Sequence, residues 1–401
     1  METKVISFSS SYATNTFCLS DGSIRMIGDA GKTGAFGFYS KGTNTVSSIS
    51  NNGVSVRSIV DTKFILPPTN MGKIIQCETV GAATYAIDED FNLHYWGTLS
   101  KFELKNIPAD RKVKRMIVFS FSSLVFVLPN GKNVLHRIRK GSVGDELSEL
   151  ANAMTTCGAL KNAFVDNGYL SLLEENGKLT IITFHRTISS GPVVTTKYLE
   201  KVEVDNCEWI ISSSNIYYKT RDKGVCEFIT NDSRYQKSFI EKLYEDKNPI
   251  LMNAKMGFHV YAGGSEVCLL TEDGGVVSVN YHTNELSLKA YYFSSPIVQL
   301  GCTSVLLESG IVMPICENKY YQTNMILSVF PEWADDEEIV YEMCKICPRN
   351  FLSASPRLRK DIEFSKRICL LGASAMEFVD GMVRRNRELR PIQKLYGLLK
   401  D

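Results

Sequence analysis

Net charge is nearly absent from this sequence. Against 45 lysines and arginines stand 44 aspartates and glutamates, a formal +1 over 401 residues. No bulk field therefore draws the chain to nucleic acid or to an anionic membrane, and neither is expected as a partner. No apolar run nears the roughly 18 residues of a membrane span, so membrane insertion is not expected. The opening METKVISFSSSY lacks the apolar core of a secretory leader. Histidine is scarce: none of His94, His136, His185, His259 and His282 has a partner at metal-ligand spacing. The cysteines number 11, an odd and scattered set that excludes a fully paired disulfide framework and is expected as reduced thiols. The expectation is an intracellular protein, cytoplasmic or nuclear. No Gly-x-Ser-x-Gly elbow is present.

What the sequence does have is a recurring turn. TFCLSDGSIRMIG alternates apolar and polar residues around Asp21-Gly22. Asp-Gly in such a setting is a strong hairpin signal, read here as a type I′ turn with two left-handed residues. The pattern returns in YAIDEDFNLHYWG, VFVLPNGKNVLH, SLLEENGKLTIIT, YYKTRDKGVCEFI, VCLLTEDGGVVSV and SVLLESGIVMPI. With Gly22, Asn92, Gly131, Gly177, Gly224, Gly274 and Gly310 as markers, the spacings are 70, 39, 46, 47, 50 and 36 residues. A unit of about 45 residues holds about four short strands, one propeller blade, which buries its faces only against neighbouring blades. The long first interval, SSISNNGVSVRSIVDTK, is read as an enlarged loop, with a degenerate hairpin at Asn52-Gly53 as the alternative.

From Pro331 the period turns helical. DDEEIVYEMCKIC puts Ile339, Met343 and Ile346 on one face, with acids in the first turn where the helix dipole favours them. Asp336 to Cys344 and Asp361 to Cys369 superpose at an offset of 25 residues, a short helical repeat. The fold class expected is mainly β: a seven-bladed propeller over residues 1–328, then a small α-helical domain over 329–401.

The hairpin unit resembles the repeat of the regulator of chromosome condensation family, seven-bladed propellers that include the exchange factor for the small GTPase Ran. AIDEDFNLHYWG carries the strand, the acidic turn and Trp96-Gly97; CLSDGSIRMIG carries the same frame ending at Gly28, and GAFG, ending at Gly37, stands at the repeat's corner. Gly22, Gly28, Gly37, Trp96, Gly97, Gly131, Gly177 and Gly274 are thus the residues expected to build the blades. The resemblance covers most of residues 1–328, with the Trp-Gly pair present once. The tail is similar to a short helical repeat of unknown function found in giant-virus, protist, algal and some intracellular bacterial proteins, through its Asp-Glu start, FLSAS and LRKD. That likeness implies such a source, with a virion as a further location if viral.

Two stretches invite chemistry. MIGDAGKTGAFG contains Gly31-Lys32-Thr33, but a phosphate loop needs its first glycine at the position of Met26, and no helical pattern follows. It reads as a blade corner. Cys344-Lys-Ile-Cys347 lacks the second ligand pair of structural zinc and reads as core. The basic run Arg384, Arg385, Arg387 and Arg390 is the candidate partner-binding segment, weighed against a solvated helix face. Neither an enzyme nor a cofactor is expected. The function expected is a non-enzymatic protein-interaction scaffold, with a guanine-nucleotide exchange factor for a Ran-like GTPase as the alternative that the family resemblance implies.

Overall fold

The computed structural model describes residues 4–10, 14–28, 45–48, 62–65, 71–80, 83–100, 107–120, 123–137, 153–166, 169–188, 194–212, 216–228, 243–260, 266–280, 287–301, 304–315 and 326–396. The turns come first, because they set the blades. In the first hairpin Leu19 N donates to Ser23 O and Gly22 N to Leu19 O, both at 2.9 Å. Gly22 has φ +84°, while Asp21 stays right-handed and accepts from Ser23 N through Oδ1 at 2.9 Å. This is a type I turn closed by one left-handed glycine, not the type I′ turn expected from Asp-Gly. Gly131, Gly177, Gly274 and Gly310 repeat it. In the second hairpin the left-handed residue is Phe91 at φ 63°, not Asn92. The Asp88 carboxylate holds that turn by accepting from Asp90 N at 3.0 Å and Asn92 N at 2.8 Å.

Seven antiparallel sheets follow. From the inside outwards, blade 1 is Val5–Ser10, Thr14–Leu19, Ile24–Gly28 and Thr45–Ser48; blade 2 is Ile74–Val80, Ala83–Asp88, Leu93–Ser100 and Thr62–Ile65. Blade 3 is Arg115–Ser120, Ser123–Val127 and Asn133–Arg137; blade 4 is Leu160–Asp166, Tyr169–Glu174, Leu179–Ile188 and Val194–Val204. Blade 5 is Cys207–Ser212, Ile216–Thr220 and Gly224–Phe228; blade 6 is Ala254–Val260, Glu266–Thr271, Val276–Asn280 and Ser287–Tyr291; blade 7 is Ile297–Leu300, Ser304–Leu307 and Val312–Pro314. The long first interval thus supplies the outer strands of two different blades, and Asn52-Gly53 lies outside the described residues. The second strands Ala83–Asp88, Ser123–Val127, Tyr169–Glu174 and Ser304–Leu307 are buried at every position. Each is covered on both faces by neighbouring blades, which is why these strands read as apolar runs rather than as alternation.

Two kinds of latch join blade to blade. One uses the left-handed turn residue, whose carbonyl accepts from the head of the next inner strand: Phe91 O from Val113 N at 2.8 Å, Gly177 O from Cys207 N at 2.8 Å, and Gly310 O from Val5 N at 3.1 Å. The other is a side chain on the inner strand. Gln76 grips Met116 through Nε2 to O at 2.9 Å and Oε1 from N at 3.0 Å. Gln299 grips Phe8 in the same way, at 2.7 and 3.2 Å. Elsewhere Arg115 Nη2 reaches Leu160 O at 2.7 Å, Lys161 Nζ reaches Glu208 O at 2.8 Å, and Trp209 Nε1 reaches Ala254 O at 3.0 Å. The contacts return from blade 7 to blade 1, so the array closes into a seven-bladed β-propeller followed by a helical region.

The helical region docks at that closure. Phe330 meets Phe17 of blade 1 edge-on, with centroids 5.2 Å apart, and stacks on Trp333 at 3.9 Å. The Arg25 guanidinium lies 4.9 Å from the Phe330 centroid and bonds Val329 O at 3.0 Å and Glu332 Oε1 at 2.7 Å. One continuous apolar core runs through blades 6, 7 and 1 and on through the helices.

The helical repeat is longer than its sequence trace. Pro331–Ala334, Glu337–Ile346 and Pro348–Ser353 are matched 25 residues on by Pro356–Lys360, Ile362–Cys369 and Ala373–Phe378. A third copy begins with Gly381–Arg384 and continues through Arg387–Leu389 into Arg390–Leu395. Trp333, Leu358 and Val383 are the buried anchors of the leading helices. Asp336, Asp361 and Asn386 cap the helices that follow, accepting from Glu338 N at 2.9 Å, Phe364 N at 2.8 Å and Glu388 N at 2.9 Å.

Candidate functional site on the helical tail

The third helical unit presents the arginines. Asp380 caps Gly381–Arg384, its Oδ1 accepting from Met382 N at 2.8 Å. Val383 and Leu389 are buried and fix the unit to the core. Arg384 is spent on structure: its Nη2 donates to Glu377 O at 2.6 Å and Val379 O at 3.2 Å, tying the third unit to the second. Gln393 Nε2 closes the other side by donating to Arg384 O at 2.7 Å. Arg385, Arg387 and Arg390 remain exposed. The intervening Glu388 is turned to Lys366, whose ammonium lowers the Glu388 carboxyl. No ion pair joins Arg385, Arg387 or Arg390 to a carboxylate among the described residues. Large apolar side chains lie on the same unit: Met382 is 85% and Leu395 70% exposed. Arginine and methionine are both enriched in protein–protein interfaces generally.

The sequence-predicted blade residues fall as follows. Gly22, Gly131, Gly177 and Gly274 occupy the left-handed turn positions. Gly97 is left-handed within its strand at φ 103°, and Trp96 beside it is fully buried between blades 1 and 2. Gly28 ends a strand, paired with Thr14 on one side and Thr45 on the other. Gly37 and Gly31-Lys32-Thr33 lie outside the described residues. Cys344, Cys347 and Cys369 are buried in the core, and burial raises the Cys344 thiol and pushes Cys369 up to about 11.

His94 Nε2 lies 2.8 Å from Asp88 Oδ2, and Asp88 stays below the usual carboxylate range because hydrogen bonds from His94 and Asn92 outweigh its desolvation. His136 Nε2 lies 2.9 Å from the Tyr85 hydroxyl. Among the described residues no three His, Cys, Asp or Glu side chains are grouped to hold a metal ion. No described helix is long and apolar enough to cross a membrane.

Sequence reasoning missed Gln76, Gln299 and Arg25, which hold the ring and the tail together. The two glutamines stand at the same place in their blades, third in the inner-strand frame, and that shared position is the signal aligned blades would have given.

Residues 336–384 match the family described as a domain of unknown function (DUF4116), a span confined to the tail. The comparison with curated proteins gives no match. Among solved structures, the chain is similar to Prp20p from Saccharomyces cerevisiae at 10% identity, covering 68% of this chain and 71% of that one with a TM-score of 0.40. It is similar to yeast RCC1 (Prp20) in its complex with Kap60 at 12% identity, covering 68% and 69% with a TM-score of 0.39. It is also similar to the computationally designed protein Ika8 at 10% identity, covering 78% and 96% with a TM-score of 0.37.

Proposed function

We propose that this chain is a non-catalytic protein-binding platform: a propeller over residues 1–328 that carries a helical unit over 329–401 and presents Arg385, Arg387 and Arg390 to an acidic protein surface. The observation that carries the reading is the contrast within one helical unit. Arg384 spends its guanidinium on backbone carbonyls, while the three arginines that follow are exposed and have no carboxylate partner among the described residues. An unpaired cluster of this kind gains from an acidic partner, because guanidinium groups bind carboxylates in bidentate fashion.

The test is capture from the native source with the wild type and with the triple variant Arg385→Glu, Arg387→Glu and Arg390→Glu. One acidic protein is expected to be held by the wild type and weakened roughly tenfold or more by charge reversal, with an unchanged thermal midpoint. Undiminished recovery with the variant would remove the arginine face from the reading. The exchange-factor alternative rests on the repeat resemblance. It has its own assay, release of a fluorescent guanine nucleotide from Ran-like GTPases, where acceleration would replace the scaffold reading.

A further inference from the structure

Cys18 and Cys77 come from different blades and meet in the core. Cys18 lies on the second strand of blade 1, Cys77 on the inner strand of blade 2, and they are 59 residues apart in the chain. The Cys18 thiol donates to Cys77 Sγ with the sulfurs 2.8 Å apart, closer than the roughly 3.5–4 Å at which non-bonded carbon atoms rest. Both side chains are fully buried, against Ile24, Met26, Ile74, Ala86 and Trp96.

The approach is set by the strands rather than by a loose side-chain rotation. Two residues along each strand, Thr16 Oγ1 and Thr79 Oγ1 hydrogen-bond at 2.9 Å, and Thr79 also meets Thr84 Oγ1 at 2.9 Å. The threonine pair and the thiol pair are successive rungs between the same two strands. The register that satisfies the threonines also brings the sulfurs together.

We propose that Cys18 and Cys77 are an inter-blade disulfide site, oxidised by a low-molecular-mass disulfide of the glutathione class into a covalent staple between blades 1 and 2. One of the two thiolates attacks a sulfur of the oxidant, forming a mixed disulfide and releasing one glutathione thiolate. The other cysteine sulfur then displaces the second glutathione. The two cysteine sulfurs lose two electrons and two protons, and the oxidant becomes two thiols.

Burial, together with the neighbouring Cys18, holds the Cys77 thiol well above its usual range in the folded ring. Thiolate is therefore scarce once the blades have closed, and exchange in either direction is slow. The bond is made while blade 1 docks on blade 2, and the closed core then keeps whichever state it received. In a reducing compartment the pair folds as a dithiol.

The test is oxidative refolding of the full chain in a mixture of reduced and oxidised glutathione. Free thiols are then trapped with N-ethylmaleimide in denaturant, and a non-reducing digest is read by mass spectrometry. Expected is a dominant peptide joining Cys18 to Cys77, lighter than its two parts by two hydrogens. The thermal midpoint of the oxidised wild type should fall by several degrees on reduction, a shift absent from Cys18→Ser. Folded protein in which both cysteines are alkylated, or in which Cys18 is joined to another cysteine, overturns the proposal. Expression in a host with an oxidising cytoplasm gives the same two-way readout without refolding.

Discussion

The junction between blades 2 and 3 and the junction between blades 7 and 1 are built from the same parts. At each, a turn carbonyl accepts from the head of the next inner strand, Phe91 to Val113 in one and Gly310 to Val5 in the other. At each, a glutamine clamps the next inner strand, Gln76 on Met116 and Gln299 on Phe8. What differs is the chain between them. Gln76 and Met116 are 40 residues apart in sequence, whereas Phe8 and Gln299 are 291 apart. No blade shares strands from both ends of the described chain, so the seam has no strand exchange to hold it. Closing the longer loop costs more entropy, though only logarithmically more. Among the described residues the tail adds contact at this seam. The same latch therefore suffices where the chain is continuous, and is reinforced by helices where it is not.

The largest effect should come from removing that reinforcement. Phe330 is fully buried between Phe17, Trp333 and the Arg25 guanidinium. Phe330→Ala is expected to cost about 3–5 kcal/mol, the usual range for deleting a buried aromatic ring. A chemical denaturation curve would measure it. Hydrogen exchange should locate the loosening in blades 7 and 1 and leave blades 3 to 5 protected. A loss spread evenly around the ring would break the comparison, because the tail would then not act at the seam.

The blade 1–2 junction offers a contrast in charge. Glu78 accepts from Ser9 Oγ at 2.6 Å and from Gln76 Nε2 at 3.1 Å. Desolvation still prevails and pushes its carboxyl up to about 7 from 4.5. The folded state thus keeps a proton that the unfolded state has released, so stability falls as pH rises between about 4.5 and 7. Above that window the ionised carboxylate costs on the order of 2–3 kcal/mol, allowing for partial hydration. Glu78→Gln removes the titration. Its midpoint should exceed the wild type's at pH 8 and match it near pH 4.5, as thermal scans across pH would register.

How much of this was legible in the sequence depends on how local the cause is. Gly22, Gly131, Gly177, Gly274 and Gly310 announce the hairpins because a left-handed turn residue needs glycine within a few positions of its strands. Phe91 defeats the rule, since Asp88 and the backbone around it hold a bulky residue in a glycine conformation, and the eye passes to Asn92. The 25-residue helical period was visible only from Asp336 to Cys344 and Asp361 to Cys369. There capping acids and core residues coincide, while the leading helices share little beyond the buried Trp333, Leu358 and Val383. The arginine run was legible as charge, but which guanidinium is structural was not, because Arg384 is set apart by carbonyls at Glu377 and Val379 rather than by its neighbours in the run. Gln76, Gln299, Arg25 and the Cys18–Cys77 contact act between residues 40 to 307 positions apart, and no window along a single chain pairs them.

The two glutamines give the finest comparison, because their clamps on the next inner strand are matched, although Gln76 also donates to Glu78. Compared in a Glu78→Ala background, so that the Gln76–Glu78 bond drops out, Gln76→Ala removes both bonds to Met116, and Gln299→Ala removes both bonds to Phe8, leaving a partly buried backbone N–H and C=O unpaired in each case. Each substitution should cost about 1–2 kcal/mol, since water reaches these groups in part. The size of the difference is the informative quantity. At the blade 2–3 junction the chain keeps the blades adjacent after the clamp is lost. At the seam the Gly310–Val5 bond, the Gly301 backbone against the Phe8 ring and the docked helices must do so. If the tail fully replaces chain continuity, the two variants unfold at the same denaturant concentration. If it does not, Gln299→Ala unfolds earlier, and pairing it with Phe330→Ala gives a loss greater than the sum of the two single losses. Strict additivity in that double-mutant cycle would mean that clamp and tail act independently, and that the seam is held by two separate devices.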